Sequence, residues 1–171
     1  MGTPRKQRRK YTRPAHPWQM ERITAEREIC VKFGLKNKTE LWKAQSRLAR
    51  IRDGAKKLLA QKGEKADIQR KALLDKMRNW GVKVESIDDI LALDVSAILE
   101  RRLESVVFRK GMASTPKQAR QYIVHNHIYV GTHKVTIPSY IVLAKEEDTV
   151  RVVDELQKVQ ESAREEVKEA G

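Results

Sequence analysis

The chain has 171 residues, of which 36 are Lys or Arg and 23 are Asp or Glu, so its formal net charge is +13. Such a surplus favours a polyanion as partner, nucleic acid first and an acidic membrane second. No apolar run reaches the length of a membrane span, and the basic N-terminus lacks the apolar core of a secretory signal. The single cysteine, Cys30, excludes an internal disulfide and a thiolate zinc cluster, so we expect a soluble intracellular protein.

The N-terminal extension, residues 1–17, is strongly basic. Residues 1–62 hold 18 Lys and Arg against 5 Asp and Glu, and residues 2–17 contain six of those cations, three prolines and almost nothing to bury. Alone, the extension is predicted to be disordered, because it cannot offset the entropy lost on ordering. A solvated tail or a nuclear localisation signal explains such a run about as well as nucleic-acid contact does.

Residues 18–97 are predicted to form a helical domain. A first helix covers residues 18–33 and stops at Gly34, with apolar points at Ile23, Cys30, Val31 and Phe33. After a break at 61–67, a further helix over residues 68–80 is expected to turn inward Ile68, Ala72, Leu73, Met77 and Trp80. Ser86 and Asp89 have the spacing of a capping box for another short helix.

The longest helix of this domain is predicted over residues 39–61, with Asn37 and Glu40 at capping-box spacing. One face should be buried, namely Leu41, Leu48, Ile51, Ala55 and Leu58. A different face aligns Lys43, Arg47, Arg50 and Lys57. Cations four positions apart repel by roughly 0.2–0.5 kcal/mol per pair, and few acids interleave them, so we favour phosphate contact over an ordinary solvated face. Trp42 and Trp80 are interpreted as core anchors because they lie in line with aliphatic residues.

The stretch 98–142 packs two short helices and a hairpin into about 45 residues. A helix is predicted over 95–109, and Thr115 should cap a second helix that has Pro116 at its first position and ends at Asn126. A hairpin follows, with strands at 128–130 and 134–137 around a turn at 131–133. Because Pro138 limits further pairing, residues 140–143 are expected to form an edge strand or a separate strand, and 149–153 to add one more.

Several motifs of this stretch occur together at matching spacings. They are Glu100-Arg101-Arg102-Leu103, Val107-Phe108-Arg109-Lys110-Gly111, Ala119-Arg120-Gln121, His127-Ile128-Tyr129-Val130 and Ile137-Pro138-Ser139-Tyr140. The set resembles the RNA-binding module of ribosomal protein S-four. The segments KYTRPAHPW and GLKNKTELW, nearer the N-terminus, are similar to segments of its archaeal and eukaryotic relatives.

The resemblance implies a small-subunit ribosomal protein that binds small-subunit ribosomal RNA early in assembly of the subunit body. It also implies a place beside the S-five family protein, near the mRNA entry region, with an influence on decoding accuracy. With this module downstream, we interpret the extension as threading along RNA, where Tyr11, His16 and Trp18 are available to stack. The residues expected to contact RNA are Arg5, Lys6, Arg8, Arg9, Lys10, Tyr11, Arg13, Lys36, Lys38, Lys43, Arg47, Arg50, Arg101, Arg102, Arg109, Lys110, Lys117, Arg120, Gln121 and Lys134. Arg102 has an alternative, because it lies near Glu104 and Asp94 and could pair with either.

The sequence contains no catalytic motif, so no enzyme activity, cofactor or small-molecule substrate is expected. His125, His127 and His133 lie close in sequence, but no cysteine or acid accompanies them, and we expect His125 and His127 to point in different directions.

Two other classes of protein carry the same module. RNA-modifying or RNA-charging enzymes need a catalytic domain, for which no room remains here. Free stress factors that recycle ribosomal subunits are mostly the module alone.

The predicted fold class is α+β. Its four parts are the extension (1–17), the helical domain (18–97), the inserted compact helix–helix–β-hairpin module with C-terminal strands (98–153), and an acidic helical tail (154–171). Residues 146–171 carry 4 Lys and Arg against 9 Asp and Glu, so the tail is not expected to contact RNA.

Overall fold

The computed structural model describes residues 9–153, which divide into two compact units. Within that range, the first unit comprises residues 9–78 and Val82–Leu99, and the second comprises Asn79–Gly81 and residues 100–153. The described residues are mostly helical and contain a small antiparallel sheet, which is consistent with the predicted α+β class. The acidic helix predicted over 154–171 lies outside the described residues.

The first unit is built from α1 (Met20–Lys32), α2 (Lys38–Ala60), most of α3 (Glu64–Asn79), α4 (Ile87–Ala92) and α5 (Val95–Leu99). The predicted inner face of α2 is buried at Leu41, Leu48, Ile51 and Ala55 and half-buried at Leu58. Leu41 packs with Phe33 and Leu99 into one cluster. The spacing of apolar residues in the sequence therefore identified the buried side of the longest helix.

Three local predictions for this unit are wrong. Asn37 is the N-cap of α2, but its side chain makes no capping hydrogen bond, so the expected capping box is absent there. Ile68, at 66%, and Ala72 are exposed instead of buried, and α3 begins at Glu64, inside the segment assigned to a break. Two acids in the first turn of α3 favour this earlier start, because they face the positive end of the helix dipole.

The capping box of α4 is present as predicted. The Ser86 hydroxyl accepts from the Asp89 N–H at 3.2 Å, and the Asp89 carboxylate accepts from the Ser86 N–H at 2.8 Å. The Glu85 N–H also donates to the Asp89 carboxylate, at 2.9 Å. The pKa of the Asp89 carboxyl lies below its usual value because the Ser86 and Glu85 N–H groups donate to its charged form.

The second unit contains α6 (Leu103–Arg109), α7 (Pro116–Val124) and a sheet in the order β2-β1-β3. The strands are β1 (Ile128–Val130), β2 (His133–Lys134) and β3 (Val150–Val152), and both pairings of β1 are antiparallel. The inner face of the sheet packs on the two helices through Leu103, Val106, Val107, Ala119, Ile123, Ile128, Val130, Val142, Val150 and Val152. This core fixes which sides of α6, α7 and the sheet remain outside.

The helix predicted over 95–109 is interrupted, because α5 ends at Leu99 and α6 begins at Leu103. The Leu103 N–H donates to the Tyr140 carbonyl at 2.8 Å, and the Val142 N–H donates to the Arg101 carbonyl at 2.9 Å. Backbone groups that a continuous helix would pair internally are thus paired with residues about 40 positions later. The same contacts leave residues 140–143 as a single bridge, between Arg102 and Ile141, and not as the expected strand.

The connections of the second unit match the turn signals more closely. Thr115 caps α7 through its hydroxyl, with Pro116 at the first position, and Asn126 adopts the left-handed conformation at φ 65°. The hairpin turn has two residues instead of three, because Val130 pairs with His133, and β2 ends at Lys134 instead of reaching 137. The strand predicted over 149–153 is present as β3.

Candidate nucleic-acid interface

The outer face of α2 carries an exposed row of cations. Lys43, Arg47, Arg50 and Lys57, which the sequence aligned on one face, are all exposed. No Asp or Glu side chain forms a salt bridge with Lys43 or Lys57 within residues 9–153. Lys43 and Lys57 are therefore available to an anionic partner, while contact of the row with phosphates stays a prediction.

The part of the extension that the structure describes lies along α2. The Thr12 N–H donates to the Ser46 hydroxyl at 3.0 Å, and the Arg50 guanidinium donates to the Lys10 carbonyl at 3.0 Å. The Tyr11 ring centroid lies 6.1 Å from that of Trp42. The expected disorder is thus contradicted for residues 10–12. Arg9, Lys10 and Arg13 are exposed, whereas Arg5, Lys6 and Arg8 lie outside the described residues.

A buried carboxylate neutralises one of the predicted RNA contacts in the first unit. Glu26 accepts from Arg22 at 2.6 Å and from the Trp42 indole at 3.0 Å, and it lies 3.3 Å from the Lys38 ammonium. Burial raises the pKa of the Glu26 carboxyl, but hydrogen bonds from Trp42, Arg22 and Lys38 outweigh it, so the pKa lies below its usual value. Lys38 is therefore an ion-pair partner, while Lys36 is exposed.

Three predicted contacts in the second unit converge on Glu147, in the 3₁₀ turn Glu147–Thr149. Arg101, only 7% exposed, donates to the Glu147 carboxylate at 2.6 Å and to the Val142 carbonyl at 3.0 Å. Arg109 donates to the other carboxylate oxygen, and the Lys110 ammonium donates to the Glu147 carbonyl. Burial raises the Glu147 pKa, but hydrogen bonds from Arg101 and Arg109 bring it below its usual value.

Two further arginines share a second carboxylate. Glu104 is 1% exposed, and its Oε2 lies 3.3 Å from the Arg102 guanidinium and 3.4 Å from that of Arg120. Arg102 is buried and Arg120 half-buried. The alternative pairing considered for Arg102 is therefore confirmed. We assign Arg101 and Arg102 to the internal structure of the second unit and remove them from the expected contact set.

The remaining predicted contacts of the second unit lie on its surface. Lys117 and Gln121 are exposed one turn apart on α7, and Lys134 is exposed on β2. Arg109 keeps about half of its side chain in solvent, at 45%, although it is paired. Sequence reasoning missed Arg151 and Tyr129, which stand beside Lys134 on the outer face of the sheet. The alternation of apolar and charged residues in Val150-Arg151-Val152 was the available signal.

The histidines form no ligand set in this part of the molecule. Within residues 9–153, no three His, Cys, Asp or Glu side chains are grouped so as to hold a metal ion. The ring centroids of His125 and His127 lie 6.3 Å apart, and the angle between the ring planes is 17°. The two rings are therefore neighbours, and the expectation that they point in different directions is wrong. No helix in residues 9–153 combines the length and apolar character that a membrane crossing requires.

Comparison with known proteins identifies the family. Residues 101–150 match the family described as the S4 domain. The small ribosomal subunit protein uS4 of Methanococcus aeolicus is 46% identical over 156 residues, covering 88% of this chain and 86% of that protein. The proteins of the same name from Methanococcus maripaludis strains S2 and C6 are 43% and 44% identical, each covering 90% of this chain and 88% of the relative. The resemblance first noted at residues 98–142 thus extends over most of the sequence, and the chain belongs to the uS4 family of small ribosomal subunit proteins.

Proposed function

We propose that this chain is a structural constituent of the small ribosomal subunit that binds small-subunit ribosomal RNA directly and catalyses no reaction. The observation that carries the proposal is the exposed cation row of α2 in a chain that belongs to the uS4 family. A helix that holds four cations on one solvent-facing side is more stable beside phosphates, which relieve the repulsion between them.

Recognition would rest on charge and shape. Lys117 and Gln121 on α7 present an ammonium and an amide to solvent, and these groups suit phosphates and 2′-hydroxyl groups of a folded RNA. Arg109 joins them through the guanidinium surface that its pairing with Glu147 leaves exposed. The α2 row and Arg9, Lys10 and Arg13 of the extension would supply further phosphate contacts.

The place of the protein in the subunit follows from the resemblance. Binding near a junction of several RNA helices, early in assembly of the subunit body, is the expected role. The neighbours would be the S-five family protein and the mRNA entry region, with an effect on decoding accuracy, and the protein would reside in the cytoplasm. Each of these statements is a proposal that a structure of the assembled subunit tests directly.

The main alternative is a free RNA-binding factor that recycles stalled subunits. Such factors are mostly the module alone, whereas this chain adds a helical unit of nearly 90 described residues, and its likeness to uS4 proteins covers that unit as well. An RNA-modifying or RNA-charging enzyme would need a separate catalytic domain, and residues 9–153 are divided between the helical unit and the module.

Sedimentation of native small subunits on a sucrose gradient after a salt wash separates these functions. A structural constituent is expected to stay with the subunit, because it binds tightly enough to remain bound after moderate salt has weakened its phosphate contacts. Release at moderate salt would contradict the proposal and favour the free factor.

A binding titration with purified protein and small-subunit ribosomal RNA tests the surface itself. Replacing Lys43 and Lys57 by Gln should lower the affinity and reduce the slope of log K against log salt by about 2 in all. The matched control replaces Lys65 and Lys71, exposed on α3, and should leave both quantities nearly unchanged. Equal effects of the two pairs would mean that net charge alone determines binding.

A further inference from the structure

Three side chains stand in one row across the outer face of the sheet. In the strand register, Tyr129 of β1 is opposite Lys134 of β2 on one side and Arg151 of β3 on the other. Successive residues of a strand face opposite ways, and Ile128 and Val130 are buried, so Tyr129 and its two partners face outward. The arrangement is set by backbone pairing and needs no particular loop conformation.

The tyrosine ring is flanked by the two cations. The Lys134 ammonium lies 5.4 Å from the Tyr129 ring centroid, and the Arg151 guanidinium carbon lies 5.5 Å from it. Both distances are within the range of cation–π attraction, which holds the charges beside the ring. Gly131, two residues after Tyr129 and in the hairpin turn that follows β1, has no side chain to cover this end of the row.

Neither cation is neutralised inside the part of the chain that the structure describes. Lys134 and Arg151 are exposed, and neither forms a salt bridge with an acid of residues 9–153. This contrasts with Arg101, Arg102, Arg109 and Arg120 of the same unit, each of which contacts a carboxylate. Two like charges held near each other without a counter-charge favour an external anion.

We propose that the row Lys134–Tyr129–Arg151 is a binding site for the sugar–phosphate backbone of an RNA strand, separate from the helical surface of α7. The proposal rests on the proposed function and extends it to a second face of the module. Adjacent strands are about 4.8 Å apart, so the two cations leave the sheet roughly 10 Å from each other, and each meets its own phosphate. Lys134 acts as a point charge and Arg151 as a bidentate donor, while the ring keeps the two apart.

The test is a salt titration of binding to small-subunit ribosomal RNA with the full-length chain. Each of Lys134→Gln and Arg151→Gln should reduce the slope of log K against log salt by about 1, and the double variant by about 2, with affinity lowered about tenfold or more. Tyr129→Val, which keeps both charges and suits a strand, should weaken binding severalfold and leave the slope unchanged. Circular dichroism and the melting temperature establish that each variant is folded.

The matched control replaces Lys71 and Lys145, two exposed lysines, by Gln, so the net charge changes by the same amount. If the control lowers slope and affinity as much as the row variant does, or if the row variant behaves as wild type, the site is refuted. A rise in affinity on removing the two cations would also refute it and would assign the row to an acidic protein segment, such as residues 154–171. Failure of the wild-type chain to bind the RNA would instead refute the proposed function, so the two failures are distinguishable.

Discussion

Replacing Glu147 by Gln tests whether the cations around it stabilise the fold or serve RNA. The carboxylate accepts from Arg101 at 2.6 Å and also from Arg109, so the substitution removes one charge from a cluster of three. Glutamine keeps the size of the side chain and one acceptor oxygen, but it cannot balance two guanidiniums. Arg101, with 8% of its side chain exposed, would then keep its hydrogen bond to the Val142 carbonyl at 3.0 Å but lose its negatively charged partner.

The structure sets the size of the expected loss. Removing one partner of a fully buried ion pair costs about 3–5 kcal/mol, because the other charge is left without compensation. Glu147 keeps about a quarter of its side chain in solvent, at 26%, and solvent screens part of this energy. We therefore expect the free energy of unfolding to fall by about 2–3 kcal/mol, which lowers the melting temperature of a chain of this length by about 4–12 °C.

The pH dependence of this difference has a definite sign. Burial raises the pKa of Glu147, but hydrogen bonds from Arg101 and Arg109 lower it more, so its folded value lies below the ordinary 4.5. A group with a depressed folded pKa stabilises the protein above its unfolded pKa, and that stabilisation is lost as pH falls through the folded pKa. The difference in free energy of unfolding between wild type and Glu147→Gln should thus be constant at neutral pH and shrink below about pH 4.5.

Urea denaturation at several pH values measures the gap, and Asp148→Asn is the matched control. Asp148 is the next residue, it is exposed, and it has no salt bridge within the described chain, so its substitution should change stability by less than about 0.5 kcal/mol. RNA affinity should not fall in Glu147→Gln, since the variant gains positive charge and frees Arg109. Equal losses of stability in the two variants, or a gap that does not shrink in acid, would refute the assignment of Arg101 to the fold.

Four smaller perturbations test other parts of the structure. Gly54→Ala, in the middle of α2 with no heavy atom within 4 Å of the added Cβ, should stabilise the protein by about 0.5–1 kcal/mol in thermal denaturation. Gly81→Ala should do the reverse by at least about 1–2 kcal/mol, because φ is +73° and the new Cβ would lie 2.6 Å from the Arg101 guanidinium carbon; a stabilised variant would contradict this backbone geometry. Ser86→Ala removes the cap of α4 and should cost about 1 kcal/mol in urea denaturation, whereas no change would show that the capping box contributes little. Lys117→Gln should keep the wild-type melting temperature and reduce the salt slope of RNA binding by about 1; an unchanged slope would remove Lys117 from the interface.

The parts of the fold that the sequence predicted well are those that neighbouring residues determine. Thr115 and Pro116 mark the start of α7, because a hydroxyl acceptor and a residue without an N–H both suit a helix N-terminus. Asn126 ends the following turn at positive φ, and Ser86 caps α4. The inner face of α2 follows from the 3.6-residue period alone. In each case the determining contact lies within a few positions.

The wrong predictions involve partners that are distant in sequence. A continuous helix over 95–109 satisfies every local rule, yet the backbone of residues 101–103 pairs with 140–142. The long-range hydrogen bonds of Leu103 and Val142 replace those that the helix would have formed, and no periodicity reveals them. Likewise, residues 10–12 have too little apolar surface to fold alone, but Ser46 and Arg50 of α2 supply hydrogen-bond partners.

The same distinction decides how charge-removing variants of this module must be interpreted. Arg109 and Lys117 look equivalent in the sequence, as cations of two neighbouring helices, but Arg109 shares a carboxylate with the buried Arg101 and Lys117 has no such partner in residues 9–153. Arg120 contacts Glu104, which is buried. A combined replacement of Arg109, Lys117 and Arg120 would therefore unbalance two carboxylates and remove RNA contacts at once. Since a loss of stability lowers the population of folded protein, it would weaken apparent binding even if no arginine touched RNA. Of these three substitutions, only that of Lys117 tests RNA binding without disturbing an internal carboxylate. The variants of Lys134 and Arg151 on the sheet test it in the same way.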